Sequence, residues 1–183
     1  MGAPKAFALL GGRPLVAHVL DRFAPQVAKL YLNAPDEGDR WRPFRRQLVV
    51  DAPEWRGAGP LAGIAAALSR AAEEGFAWLA TSPCDAPFLP LDLVSRLAAP
   101  IEASGAPAAV AMSARGLEPM FALWPVGASG RIGAALAAGR SGPRSVLQEM
   151  GAARVSFVSS SDADAFANLN TPEELAAAGA IKL

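Results

Sequence analysis

What this chain has little of narrows its chemistry before any motif is read. Of 183 residues, one is cysteine, Cys84, and one is histidine, His18. A single cysteine excludes an internal disulfide and a multi-cysteine zinc centre, and it fits a reducing compartment such as the cytoplasm. Thiol catalysis needs a base beside the sulfur. His18 falls in an apolar helical pattern with Leu15, Val16, Val19 and Leu20, where a structural role is expected, so Cys84 reads as a small residue packed at a strand end. Lysine plus arginine number 17, as do aspartate plus glutamate, so the net charge is zero. No global field then draws nucleic acid or an anionic membrane surface. No segment offers about 18 uninterrupted apolar residues, the length a membrane span needs, and the first ten residues are too short an apolar run for a secretory signal. The expectation is one cytoplasmic, monomeric domain covering residues 1–183, with no nucleic-acid and no membrane partner.

Hydrophobic residues make up 52% of the chain, but many are alanines, which favour helix and bury little area each. The heavy core must come from strands. Leu15, Val16, Val19, Leu20 and Phe23 recur at helical spacing behind Pro14 and predict a helix over 14–24. Strands are predicted over 27–33 and 47–50, the second closing on Asp51. Between them Arg40, Arg42, Arg45 and Arg46 surround Trp41 and Phe44. An RNA contact is one reading of that cluster, but neutral net charge and the lack of a second patch favour a solvated connection. Gly57, Gly59, Pro60, Leu61, Ala62 and Gly63 form a glycine-rich turn opening a helix, where exposed amides suit an anion or a base edge. A strand from Phe76 runs toward Asp85, which Pro83 and Pro87 bracket, and a helix follows over 91–103. Strands at 108–113 and 119–124 are too close for a helical crossover and are predicted to be antiparallel. Helices at 128–138 and 144–150 precede a strand at 154–158. Thr171, Pro172 and Glu174 then carry the marks of a capped helix start. The order predicts a three-layer α/β domain with a mostly parallel sheet and a small antiparallel β insertion.

In such a sheet ligands bind at the carboxyl ends of the strands. Asp51 with the glycine turn, Asp85, and Asn168 with Asn170 all fall at that edge. Asp85 could merely cap its turn; a lone carboxylate there also suits a hard cation holding phosphates. On that reading Asp85 holds Mg²⁺ with Asn170 or Asn168 as a neutral second ligand, and Lys5 or Arg13 faces a nucleoside triphosphate.

The ordered set Lys5, Gly11-Gly-Arg-Pro-Leu15, Asn33, Asp51, Gly59-Pro-Leu-Ala-Gly63, Pro83-Cys-Asp-Ala-Pro87, Glu118-Pro-Met-Phe-Ala-Leu123, Arg144-Ser-Val146 and Phe166-Ala-Asn-Leu-Asn-Thr-Pro-Glu-Glu-Leu175 spans nearly the whole chain. It resembles the molybdenum cofactor guanylyltransferases, of the nucleotide-diphospho-sugar transferase-like fold. The resemblance implies transfer of GMP from Mg-GTP to molybdopterin, releasing pyrophosphate, and a transient contact with cofactor-insertion proteins. It also implies that Lys5 lies near the phosphates, that Asn33 and Asp51 with Gly59, Pro60 and Leu61 contact the guanine nucleotide, that Asp85 binds Mg²⁺, and that Asn168 and Asn170 lie at the pterin and metal side. Two alternatives stay open: cytidylyl transfer to the same cofactor, and a catalytically weak nucleotide-binding or regulatory homologue.

The family pattern begins with a strand running into Leu-Ala-Gly-Gly-x-Ser-x-Arg-Met-Gly, of which this chain matches only the end. Met1 is therefore expected to be an internal methionine taken as the start. Without that strand and loop, GTP binding and turnover are expected to fall about 100- to 1,000-fold, the scale of losing one preorganised donor. A GTP titration of this chain beside one carrying the upstream strand and loop checks this, and equal binding would overturn it.

Overall fold

The computed structural model describes residues 5–34, 41, 47–157, 165–169, 171 and 174–175. Asn170 and the arginines at 40, 42, 45 and 46 lie outside the described residues. At the start, β1 (Leu9–Leu10) and β2 (Arg13–Pro14) form a tight antiparallel hairpin. Its turn residues Gly11 and Gly12 sit at φ +57° and +80°, a conformation that costs glycine nothing. Pro14, predicted as the first helical residue, is instead extended at ψ 143° and stands one position before α1 (Leu15–Phe23). Leu15, Val16, Val19, Leu20 and Phe23 are buried along one side of that helix. His18 is buried with them and its Nε2 lies 2.9 Å from the Leu10 carbonyl oxygen, the structural role expected of it.

β3 (Tyr31–Asn33) pairs in parallel with β4 (Gln47–Val49). A second sheet has the order β5-β7-β6-β8, formed by β5 (Trp78–Thr81), β6 (Ala109–Ser113), β7 (Gly116–Pro125) and β8 (Ala153–Ser156). The predicted antiparallel pair is β6 and β7. It is no appendage, because β7 also pairs antiparallel with β5, while β6 and β8 are parallel. The reason is visible in β7 itself. Ala122 and Trp124 enter one core and Phe121 and Leu123 the other, and a strand apolar on both faces belongs inside a sheet.

Two helical layers cover the sheet. α2 (Pro60–Glu73), α4 (Ser129–Ala137) and α5 (Pro143–Glu149) pack on the face of Trp124, where Leu61, Leu68, Ile132 and Leu147 are almost wholly buried. α1 and α3 (Leu93–Ser104) pack on the other, with Phe23, Leu93, Leu97 and Phe121. Phe166 reaches this second core from the closing segment and meets Phe121 and Phe157 edge-on, at ring separations of 4.7 and 5.2 Å. The expected helix start after it carries its reciprocal cap: the Thr171 N–H donates to Glu174 Oε2 at 3.0 Å, and the Glu174 N–H donates to Thr171 Oγ1 at 3.1 Å.

α2 lies unusually close to β3. A Cβ at Gly63 would stand 2.3 Å from Asn33 Oδ1, a distance no carbon tolerates, so glycine there lets helix and strand meet. Gly63→Ala must displace Asn33 or lift α2. We expect a loss of about 1–3 kcal/mol, the usual cost of overpacking, measured by urea denaturation.

Candidate functional site

β5 ends at Thr81, and Ser82 and Pro83 carry the chain out to Cys84 and Asp85 at the lip of the sheet. Asp85 is half-buried, and its main-chain carbonyl accepts the Leu169 N–H at 3.0 Å. That bond fastens the closing segment to the strand end and places the exposed Asn168 one residue from the point of attachment. Leu169 is further held by Leu10 and Leu15 in a small apolar cluster beneath the β1–β2 hairpin. Burial raises the Asp85 carboxyl above its ordinary range; a main-chain N–H and the positive charge of Lys5 pull it back. A carboxylate whose ionised form lacks hydration has most to gain from a cation. Burial, with the Asp85 charge added, pushes the Cys84 thiol up to about 11, so it is un-ionised at neutral pH and is no nucleophile.

A second pair forms across the neighbouring strand ends. Asn33 closes β3 and Asp51 follows β4, and the Asn33 Nδ2 donates to Asp51 Oδ1 and to the Val49 carbonyl, both at 3.0 Å. The parallel register that sets Asn33 beside Val49 brings these residues together although 18 positions separate them. Gly63 backs the Asn33 carboxamide from behind.

At the glycine turn the structure changes one expectation. Gly59 takes φ +87° and a Cβ there would meet Ser141 at 2.9 Å, so the turn is tight for a packing reason. Pro60 has no N–H, the Leu61 N–H donates to the Ser141 carbonyl at 3.0 Å, and the Ala62 N–H donates to the Gly59 carbonyl at 3.0 Å. The first amides of α2 are thus taken by the protein, so an anion cannot use them as the sequence suggested; Gly59 and Pro60 stay exposed and Leu61 is buried. Arg13 pairs with Asp21 at 2.7 Å on the surface. Such an exposed pair is worth only about 0–1 kcal/mol, so a polyphosphate can compete for the guanidinium. Lys5 is the cation whose charge acts on Asp85.

Among the described residues no three His, Cys, Asp or Glu side chains stand close enough to hold a metal ion together. One carboxylate does not make a resident metal centre, but it fits a Mg²⁺ ion that arrives on phosphate oxygens and keeps several waters. Sequence reasoning missed two features. Ser141 closes the glycine turn from another helix connection, and Arg115 donates to the Phe166 carbonyl at 2.7 Å, bracing the segment that carries Asn168. The second had a signal in Glu118, which accepts from Ser113 at 2.7 Å and pairs with Arg115. Between β3 and β5, finally, lies a cavity of about 520 Å³ that opens beside Asn33 and Asp85.

A three-layer α/β domain with carboxylates and carboxamides gathered at its strand ends defines a nucleotide-handling class of protein. Residues 1–155 match the family described as the MobA-like NTP transferase domain, and the chain belongs to that family. It is 38% identical over 182 residues to a molybdenum cofactor guanylyltransferase of Cupriavidus taiwanensis, covering 96% of this chain and 87% of that protein. A protein of the same name from Cereibacter sphaeroides is 40% identical over 178 residues, covering 97% and 87%. Among solved structures, the molybdopterin-guanine dinucleotide biosynthesis protein A of Archaeoglobus fulgidus superposes with a TM-score of 0.76 at 22% identity, over 98% of this chain and 90% of that one. The 2-C-methyl-D-erythritol 4-phosphate cytidylyltransferase of Thermus thermophilus shares the fold with a TM-score of 0.71 at 18% identity, over 98% and 94%.

Because burial raises the Asp85 carboxyl, its ionisation works against folding. The contribution is full below the ordinary aspartate pKa and is lost as pH rises through the raised one. Asp85→Asn is therefore expected to raise Tm at neutral pH and to flatten this part of the pH dependence. Thermal melts between about pH 4 and pH 8 check this; an unchanged or lower neutral Tm would contradict it.

Proposed function

We infer that the chain, acting as one nucleotidyltransferase domain over residues 1–183, transfers GMP from GTP to molybdopterin. A phosphate oxygen of molybdopterin attacks the α-phosphorus in line, the bond to the β-phosphate breaks, and pyrophosphate leaves with its electron pair. The observation that carries this reading is the half-buried Asp85, under the charge of Lys5 and tied to the Asn168 segment, on the same strand-end edge as the Asn33–Asp51 pair. Family membership and relatives named molybdenum cofactor guanylyltransferase support it.

No covalent intermediate is required, so the work of the protein is positioning and charge neutralisation. Lys5 opposes the triphosphate charge, and Arg13, released from Asp21, adds to it. Asp85, with Asn168 or Asn170 as a neutral partner, would hold Mg²⁺, which when bound would supply positive charge to the phosphate oxygens. Asp51 is an acceptor and suits a base edge rich in donors. Guanine offers an N–H and an amino group side by side, whereas cytosine offers only its amino group. Asn33 orients the Asp51 carboxylate through its Nδ2, and the exposed Gly59–Pro60 turn borders the nucleotide next to it. The domain works as a cytoplasmic monomer that meets cofactor-insertion proteins transiently. No helix among the described residues is long and apolar enough to cross a membrane.

The test is pyrophosphate release from Mg-GTP in the presence of molybdopterin. Release with GTP and not with CTP is expected, while release with CTP alone would overturn the reading in favour of cytidylyl transfer. Lys5→Ala and Asp85→Asn are each expected to lower kcat/KM by about 100- to 1,000-fold, the usual cost of removing one electrostatic contact in such a site.

A further inference from the structure

The closing segment crosses the larger sheet at its carboxyl edge. β5 and β6 each run antiparallel to β7, and β8 runs parallel to β6, so β5, β6 and β8 all end on the side where Asp85 stands. Residues 165–169 come after β8, yet the Leu169 N–H reaches the Asp85 carbonyl beyond the end of β5. In the order β5-β7-β6-β8 that path spans three strand intervals, about 14 Å. A strap carried that far needs a support between its ends.

Arg115 is that support. It lies in the β6–β7 turn, just past the last pair Ser113↔Gly116, and its Nη2 donates to the Phe166 carbonyl at 2.7 Å. The turn in its place fixes the arginine. Oγ of the buried Ser113 accepts the Arg115 N–H at 3.0 Å and donates to Glu118 Oε1 at 2.7 Å, and that carboxylate oxygen lies 3.5 Å from Arg115 Nη2. From α5, Arg144 donates to the Leu117 carbonyl at 2.9 Å and holds the same turn from the opposite layer. β7 is also interrupted here. Between the pairs Val110↔Ala122 and Ala111↔Glu118 it carries Pro119, Met120 and Phe121 opposite no residue of β6. Proline has no N–H for a ladder, and bulges of this kind re-aim a chain beside functional sites.

We propose that Arg115 is a positioning residue for the acceptor substrate: by fixing the Phe166 carbonyl it sets Asn168 against Asp85, and so sets the affinity for the phosphate-monoester acceptor. The proposal rests on the guanylyl-transfer reading above. Its core is a two-point attachment. The Phe166 carbonyl and the Leu169 N–H are each tied to the sheet edge by one hydrogen bond, and the exposed Asn168 lies between them. The side chains of Phe166 and Leu169 are buried, but apolar contact is non-directional and leaves the aim of the segment to those two bonds. The bond from Arg115 is the stronger kind, because its donor is charged.

The place of the strap selects the acceptor rather than the nucleotide. Asn33 and Asp51, which suit the base, stand at the ends of β3 and β4, across the cavity from β5. Arg115 and the strap belong to the ends of β5 to β8, on the other side of Asp85. A change at Arg115 therefore reaches the acceptor and leaves the base contacts alone. It also leaves the cores alone, since the Arg115 side chain keeps 54% of its surface exposed and fills no apolar space.

The test compares Arg115→Ala and Arg115→Lys in the full chain, with Arg140→Ala, which removes only a surface pair with Glu149, as the control. Arg115→Ala is expected to raise the KM for molybdopterin about 10-fold, the scale of one hydrogen bond from a charged donor. The KM for GTP, kcat and the thermal melt are expected to stay unchanged. Arg115→Lys, whose ammonium can still donate to the Phe166 carbonyl, is expected to recover most of the loss, and Arg140→Ala to match the unsubstituted chain. A merely structural role would move both KM values or the melt instead. A second readout needs no substrate: hydrogen exchange of the Leu169 amide is expected to quicken about 10-fold in Arg115→Ala and to return in Arg115→Lys. An unchanged KM for molybdopterin, a parallel rise in both KM values, or unchanged Leu169 exchange would each overturn the proposal. No pyrophosphate release by the unsubstituted chain would instead sink the transfer reading, and Leu169 exchange would then still decide whether Arg115 holds the strap.

Discussion

Successive side chains of β7 point into two different hydrophobic cores, and most of the architecture follows from that alternation. Trp124 and Ala122 demand a helical layer on one side, Phe121 and Leu123 a layer on the other. A strand with no polar face cannot sit at an edge, so β7 takes its place between β5 and β6 and runs against both. The sheet is covered by helices on both faces, and its strand ends open onto loops. Chemistry therefore gathers where β3, β4 and β5 give way to loops.

At those ends the fold uses its backbone to position and keeps its side chains for work. The closing segment is secured to Asp85 through a main-chain bond, Leu169 N–H to the Asp85 carbonyl, so the carboxylate is not spent on holding structure. The glycine turn is secured by a Ser141 carbonyl rather than by a side chain. Asn33 is the exception, because its carboxamide is both structural, against Gly63, and oriented toward Asp51. Asp85 carries the corresponding tension: burial makes its charge costly to the fold, and the same lost hydration makes a cation welcome. Sites of this kind are poised at the expense of stability.

Much of this could be read from the chain. The periodicity of α1, the pairing of β6 with β7, the capping box of Thr171 and Glu174, and the structural place of His18 all depend on near neighbours in sequence, and each stands where it was expected. Boundaries shifted where local signals competed. Pro14 suits a first helical turn, but the Gly11–Gly12 hairpin claimed it as a strand residue. The strand predicted over 27–33 shrank to Tyr31–Asn33.

The sequence by itself determined the α/β class, the alternation that divides the core, and the residue types at each strand end, because periods of 2 and 3.6 and the capping residues act over a few positions. Only the tertiary structure decided that Asn33 meets Asp51, that Ser141 occupies the first free amide of α2, and that β7 lies within the sheet. Each of these joins segments separated by many residues. Such contacts depend on how whole layers pack, and no local pattern encodes that.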